Sequence, residues 1–135
     1  MTVLFLSQVA KRGGVNGLNY LTTIIVFLRF LNIIVKLSSS KTLAMERNLE
    51  RTMDNVTNVE GVIGCILADR QGLCLGAKGS ASSESAGLIA AIADEAAKLE
   101  PDSKAPVIAL ESDSRQCIIQ RQGPIIGAIY KIISP

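Results

Sequence analysis

At Met45 the chain changes charge character, and that seam sets which residues are available to form a folded core. Residues 1–44 hold five basic residues (Lys11, Arg12, Arg29, Lys36, Lys41) and no acidic one. Residues 45–135 hold nine basic and twelve acidic residues. The overall charge of +2 is therefore an average over two unlike segments. We read residues 1–44 as a basic, apolar N-terminal extension and residues 45–135 as a single domain with one modest core. Trp is absent and aromatics make up only 4% of the chain, so that core must be built from Ile, Val, Leu and Ala.

The same composition narrows the chemistry. His is absent, which removes the commonest general base, nucleophile activator and zinc ligand together. Asp69, Glu111 and Asp113 fall between predicted strands, where acidic residues ordinarily serve turns. No phosphate loop, dinucleotide fingerprint or nucleophile elbow is present, and Gly72, Gly76 and Gly79 lie within and after a strand rather than ahead of a helix. Cys65, Cys74 and Cys117 form no C-x-x-C pair and sit in apolar runs, as reduced buried thiols do. The sequence thus predicts no catalytic residues, no metal site and no cofactor. The domain also lacks a Lys/Arg cluster, so nucleic acid is not expected as a partner.

In the extension, Leu18 to Leu37 is the apolar heart. Its length approaches a membrane span, but Asn19 and Asn32 interrupt it and Arg29 sits near its middle. A central Arg costs roughly 2.5–3.5 kcal/mol on insertion, which counts against a span. Four readings stand side by side. The extension is a membrane anchor, or a transit peptide with its Ser38-Ser39-Ser40 tract. It is a secretory signal with Lys11-Arg12 ahead and a poor cleavage site at Thr42-Leu43-Ala44. Or Met45 is the true start, and the preceding residues are translated upstream sequence.

In the domain, Met45, Leu49, Met53 and Val56 recur at helical spacing and predict a short amphipathic helix. Val59–Ala68 and Leu73–Lys78 read as a hairpin around Asp69-Arg70-Gln71-Gly72, with Gly76 and Gly79 marking a bulge or a sharp exit. Ser82 or Ser83 caps a long central helix that runs to about Glu100, where Pro101 stops it. Strands at 107–112, 117–121 and 125–133 complete an α+β layer of five strands.

On a helical wheel at about 100° per residue, Leu88, Ile89, Ile92, Ala96 and Leu99 make one apolar sector of the central helix. Ala86, Ala90, Ala93 and Ala97 extend it on one side. The arc is roughly 200° wide, about twice what one sheet contact needs. The expectation is that the bulky sector packs on the sheet and the alanine sector is left for a second helix, or that the alanines simply favour helix. If Val107, Ile108, Ala109 and Leu110 form an edge strand, they offer apolar, proline-free backbone that monomers normally avoid. Together these features point to a dimerising module.

These residues also carry a resemblance. Gly61-Val62, the run from Asp69 to Gly76, Ala86-Gly87, Ala96-Ala97-Lys98-Leu99, Leu110-Glu111-Ser112-Asp113 and Ile119-Gln120 resemble the fifth-subunit family of the Ragulator (late endosomal and lysosomal adaptor) complex. The match spreads over nearly all of residues 45–135. It implies a roadblock/longin-like domain: a five-stranded antiparallel sheet, a short N-terminal helix, one long central helix and no C-terminal helix. It further implies a non-enzymatic, cytoplasmic scaffold recruited to the lysosomal or late endosomal surface. Such a subunit pairs with another small roadblock-type subunit inside a complex wrapped by a lipid-anchored subunit, so its contact with the membrane is indirect. The complex recruits Rag GTPases for amino-acid activation of TOR signalling. The implied pairing residues are Ala86, Ile89, Ala90, Ala93 and Ala97 on the helix and Val107, Ile108, Ala109 and Leu110 on the strand. A homodimeric dynein light chain of the roadblock type is the alternative within the same fold.

Overall fold

Alternation in the second half of the chain produces a single antiparallel sheet, and its central strands are apolar on both faces because each face meets a helix. The computed structural model describes residues 25, 28, 29, 31–33 and 43–133. Helix α1 spans Leu43–Thr57, β1 Val62–Asp69, β2 Cys74–Gly79, α2 Ala86–Ala97, β3 Ile108–Glu111, β4 Arg115–Gln122 and β5 Ile125–Ile132. The sheet order is β2-β1-β5-β4-β3, which makes β2 and β3 the edges. No helix follows β5 among the described residues. The expected leader landmarks at Lys11-Arg12, Leu18, Asn19, Leu37, Ser38-Ser39-Ser40 and Thr42 lie outside the described residues. Among the described residues, no helix is long and apolar enough to cross a membrane.

The hairpin between β1 and β2 is built by its turn chemistry. Asp69 Oδ1 accepts hydrogen bonds from the backbone N–H groups of Gln71 and Leu73, both at 2.9 Å. Gly72 supplies the positive φ of 89° that the turn requires. The predicted bulge is present: the β1–β2 register shifts between Leu67 and Ala68.

One face of the sheet carries α1. Met53 and Val56 are 1% exposed and pack with Val62, Cys65, Leu67, Ile125 and Ile129. The opposite face carries α2, whose Ala86, Ile89, Ala90 and Ala93 pack on Ile66, Ala68, Ile119, Ile126 and Ala128. A 3₁₀ turn at Ser83–Ser85 leads into α2, with the Ser82 side chain accepting from the Glu84 N–H at 3.3 Å. The helix ends before Glu100: the N–H groups of Lys98 and Leu99 bond to the carbonyls of Glu95 and Ala96 at 3.2 Å, tightening the last turn.

The wheel expectation holds for Ile89 and Ile92, which pack toward the sheet, and is corrected for Leu88 and Leu99 and for the alanines expected to face a second helix. The alanine side lies on the sheet, while Leu88 is 66% and Leu99 76% exposed. The reason is on the sheet: Ile66, Ile119 and Ile126 already supply bulk on that face. A helix with small residues fits closely against them, whereas a leucine face would overfill the layer.

Candidate functional site

No cluster of His, Cys, Asp or Glu capable of holding a metal occurs among the described residues. The chemistry available at the surface is apolar contact bordered by charge, and it gathers where α2 turns away from its own sheet. Tyr130, on β5, packs beside Cys117 against the α2-side core, and burial raises its pKa. Near the end of α2, Asp94 Oδ1 lies 3.9 Å from Arg121 Nη1. Leu88 and Leu99 are turned outward.

Beside it stands edge strand β3. Its residues pair only with β4, in the register Ile108↔Ile119, Ala109↔Ile118, Leu110↔Cys117 and Glu111↔Gln116. Ile108 packs with the α2-side core, and Leu110, two residues on and therefore on the same face, is 46% exposed. Ala109 packs on the opposite face with Val107 and Ile118. An open helix side and an open strand edge on one side of the sheet make a candidate for protein contact.

Charge borders this surface. Lys98 Nζ lies 2.7 Å from Glu95 Oε1 and 3.9 Å from Asp94 Oδ2, and the hydrogen bond that Lys98 donates to Glu95 raises the Lys98 pKa. At the far end of β3, Gln116 Nε2 donates to Glu111 Oε1 at 2.5 Å.

The residues named from sequence separate into two groups. Ala86, Ile89, Ala90 and Ala93 are buried at 1–4% exposure within the protein's own core, and Val107 is 3% exposed against Ile118. Ala97, Ile108 and Ala109 are half-buried and Leu110 is exposed. Leu88 on α2 and Leu99 in the turn that ends it, which the wheel assigned to the sheet, are the large apolar groups presented outward. The sequence signal for them is the width of the apolar arc, of which Ile89 and Ile92 meet the sheet and Leu88 and Leu99 do not.

The Cys65 thiol is buried and the Cys117 thiol half-buried. Burial pushes the pKa of Cys65 and of Cys117 up to about 11, with the Asp54 charge adding to the effect at Cys65. All three cysteines are unpaired by disulfides. At neutral pH these two groups are protonated rather than nucleophilic thiolates.

Comparison with known proteins gives this geometry a family. The model of the family described as Ragulator complex protein LAMTOR5 matches residues 45–131. A Ragulator complex protein LAMTOR5 homolog of Nematostella vectensis is 43% identical over 91 residues, covering 67% of this chain and 100% of the relative. Ragulator complex protein LAMTOR5 of Xenopus tropicalis is 39% identical over 92 residues, covering 67% of this chain and 97% of the relative. Among solved structures, a Roadblock/LC7 domain from Streptomyces avermitilis superposes with a TM-score of 0.52 at 17% identity, covering 59% of this chain and 74% of that one. The gliding protein MglB of Thermus thermophilus gives 0.56 at 16% identity, covering 69% and 76%. At such identities the structural likeness speaks for the roadblock fold alone.

Proposed function

The chain belongs to the LAMTOR5 family of Ragulator complex proteins, and on that footing we propose that it is a non-enzymatic scaffold subunit of a Ragulator-like complex. It pairs with another small roadblock-type subunit through the outer side of α2 and edge strand β3. Within a complex wrapped by a lipid-anchored subunit at the lysosomal or late endosomal surface, it helps recruit Rag GTPases for amino-acid activation of TOR signalling. The observation that carries the pairing surface is the joint exposure of Leu88, Leu99 and Leu110 beside an open strand edge. A stable interface of this kind buries about 1,600 Å² in total. Of the residues implied by the resemblance, Ala97, Ile108, Ala109 and Leu110 supply contact. The buried alanines set the close seating of the helix from which Leu88 projects.

The test is to purify the full chain from its own cells through an affinity tag and identify what accompanies it. Recovery of a small roadblock-type subunit with Rag GTPases, lost on introducing Leu88→Asp with Leu110→Asp while helical circular dichroism persists, supports the reading. Recovery of a homodimer with motor intermediate chains would replace it with the dynein light-chain alternative. Imaging provides the second arm: the tagged chain should concentrate on lysosomes, and a uniformly diffuse signal would remove the lysosomal part of the proposal.

A further inference from the structure

The sheet is too wide for the helix that covers its α1 side. Five strands at about 4.8 Å spacing span roughly 24 Å, and one helix with its side chains is about 10–12 Å across. Helix α1 packs over β1, β2 and the near part of β5, through contacts from Met53 and Val56 to Cys65 and Leu67. Gly76 on β2 also lies directly under Met53. The half of that face formed by β4 and β3 carries Val107, Ala109, Ile118, Gln120 and Gln122, and α1 does not reach it. Yet Ile118 is 0% and Val107 3% exposed.

The cover comes from the N-terminal extension. Residues 25, 28, 29 and 31–33 are helical. Leu28 packs against Val107 and Ile118. Leu31, fully buried, joins Met53, Val56, Ile125 and Ile129 in the groove between α1 and the sheet. Gln122 Nε2 donates to Asn32 Oδ1. Leu28, Leu31 and Asn32 are spaced by three and four and thus share one helical face. Arg29 and Ile33, on the remaining sides, are exposed, and Asn32 sits at the exposed margin of the contact. The asparagine that interrupts the apolar run in the sequence is the residue that meets a strand glutamine.

The seat is incompletely matched. Gln116 and Gln120 are buried on this face, and Oε1 of both Gln120 and Gln122 is buried without a hydrogen-bond partner among the described residues. A permanently closed helix contact would pair such oxygens or replace them with apolar side chains. We propose that the helical residues around Leu28, Leu31 and Asn32 are a detachable intramolecular cover, seated through those three side chains on the β4–β3 half of the sheet and able to leave it without unfolding the rest. This inference does not depend on the Ragulator reading.

Hydrogen exchange on the full chain, read by mass spectrometry, tests it. In the unsubstituted protein, amides of residues 28–33 should be protected, but less than those of β5. Leu31→Asp should abolish that protection and speed exchange across residues 115–122 by about tenfold or more. It should also raise binding of an apolar dye, and leave residues 86–97 unchanged. Ile33→Asp, on the exposed side, should do none of this. Exchange of residues 28–33 at unprotected rates in the unsubstituted chain would overturn the seat. Equal effects of Leu31→Asp and Ile33→Asp would overturn its specificity. If Leu31→Asp loses cooperative melting altogether, the milder Leu28→Ala decides: faster exchange confined to 25–33 and 115–122 sustains a detachable cover, and loss spread over every strand overturns it.

Discussion

Gly72 in the β1–β2 turn lies against the backbone of Gly87 in the first turn of α2: a Cβ built on Gly72 would stand 2.9 Å from the Gly87 Cα. The close approach of the hairpin turn to the helix start thus depends on the missing side chain of Gly72, and the two glycines are not equivalent. Gly72 has a φ of 89°, whereas Gly87 is helical and a Cβ there would meet nothing within 4 Å. Gly72→Ala should destabilise by at least about 1–3 kcal/mol from backbone strain alone, with the contact to Gly87 adding to it. Gly87→Ala should stabilise by roughly 0.5–1 kcal/mol, because alanine favours helix and restricts the unfolded chain. Thermal melting resolves both, at roughly 4–8 °C per kcal/mol for a domain of this size.

The small residues under α2 give a second prediction. Ala90 and Ala93 are 4% and 3% exposed against Ile66, Ile119 and Ile126. Ala93→Glu would bury a carboxylate without a partner and should abolish cooperative folding. Ala90→Leu should cost about 1–3 kcal/mol through overpacking. Leu88→Asp, on the exposed side, should change monomer stability by no more than about 0.5 kcal/mol. Urea unfolding followed by circular dichroism separates the three. A folded Ala93→Glu protein of unchanged stability would show that this side of the helix faces outward after all.

How much of this was legible in the sequence follows from where the information resides. The order of elements was readable because punctuation is local: Asp69 to Gly72 carries its turn within four residues, and Ser82 caps within two. The breadth of the apolar arc on α2 was readable for the same reason. Its orientation was not, since which arc meets the sheet depends on bulk contributed by Ile66, Ile119 and Ile126, whose convergence is a property of the sheet order. The seat for Leu28 and Leu31 was invisible for a related reason. Nothing in residues 25–33 reveals that half a sheet face, dozens of residues away, lacks a helix.

Alkaline pH should weaken the fold through its buried thiols. The Cys65 and Cys117 pKa values rise from 9.0 to about 11 in the folded protein because burial disfavours the thiolate. The folded state therefore holds these protons where the unfolded state has released them. The contribution is intact below about pH 9 and is lost as pH rises through about 11. Lys131, whose pKa burial lowers, works in the opposite sense, but it is common to any cysteine variant. The double variant Cys65→Ala/Cys117→Ala should accordingly show a shallower fall in unfolding free energy between about pH 8 and pH 11 than the unsubstituted chain. Parallel pH curves for the two proteins would mean that the thiols do not titrate with folding.

Met53 and Gly76 provide the last prediction, through their coupling. Met53 is 1% exposed in the α1-side core, and a Cβ on Gly76 would come within 2.8 Å of its Sδ. Helix α1 can therefore lie close to β2 because the strand offers no side chain beneath the methionine. Met53→Ala removes buried atoms and leaves a cavity, with an expected loss of about 2–5 kcal/mol. Gly76→Ala alone should cost on the order of 1–3 kcal/mol by forcing the thioether aside. Combined with Met53→Ala, the same added methyl enters vacated space, so the double variant should be more stable than the sum of the two losses implies. A coupling of at least about 0.5 kcal/mol in a denaturant-unfolding cycle is the expected result. Strict additivity would mean that α1 shifts bodily away from β2 when either residue changes, and that the close approach at Gly76 does not hold the helix in place.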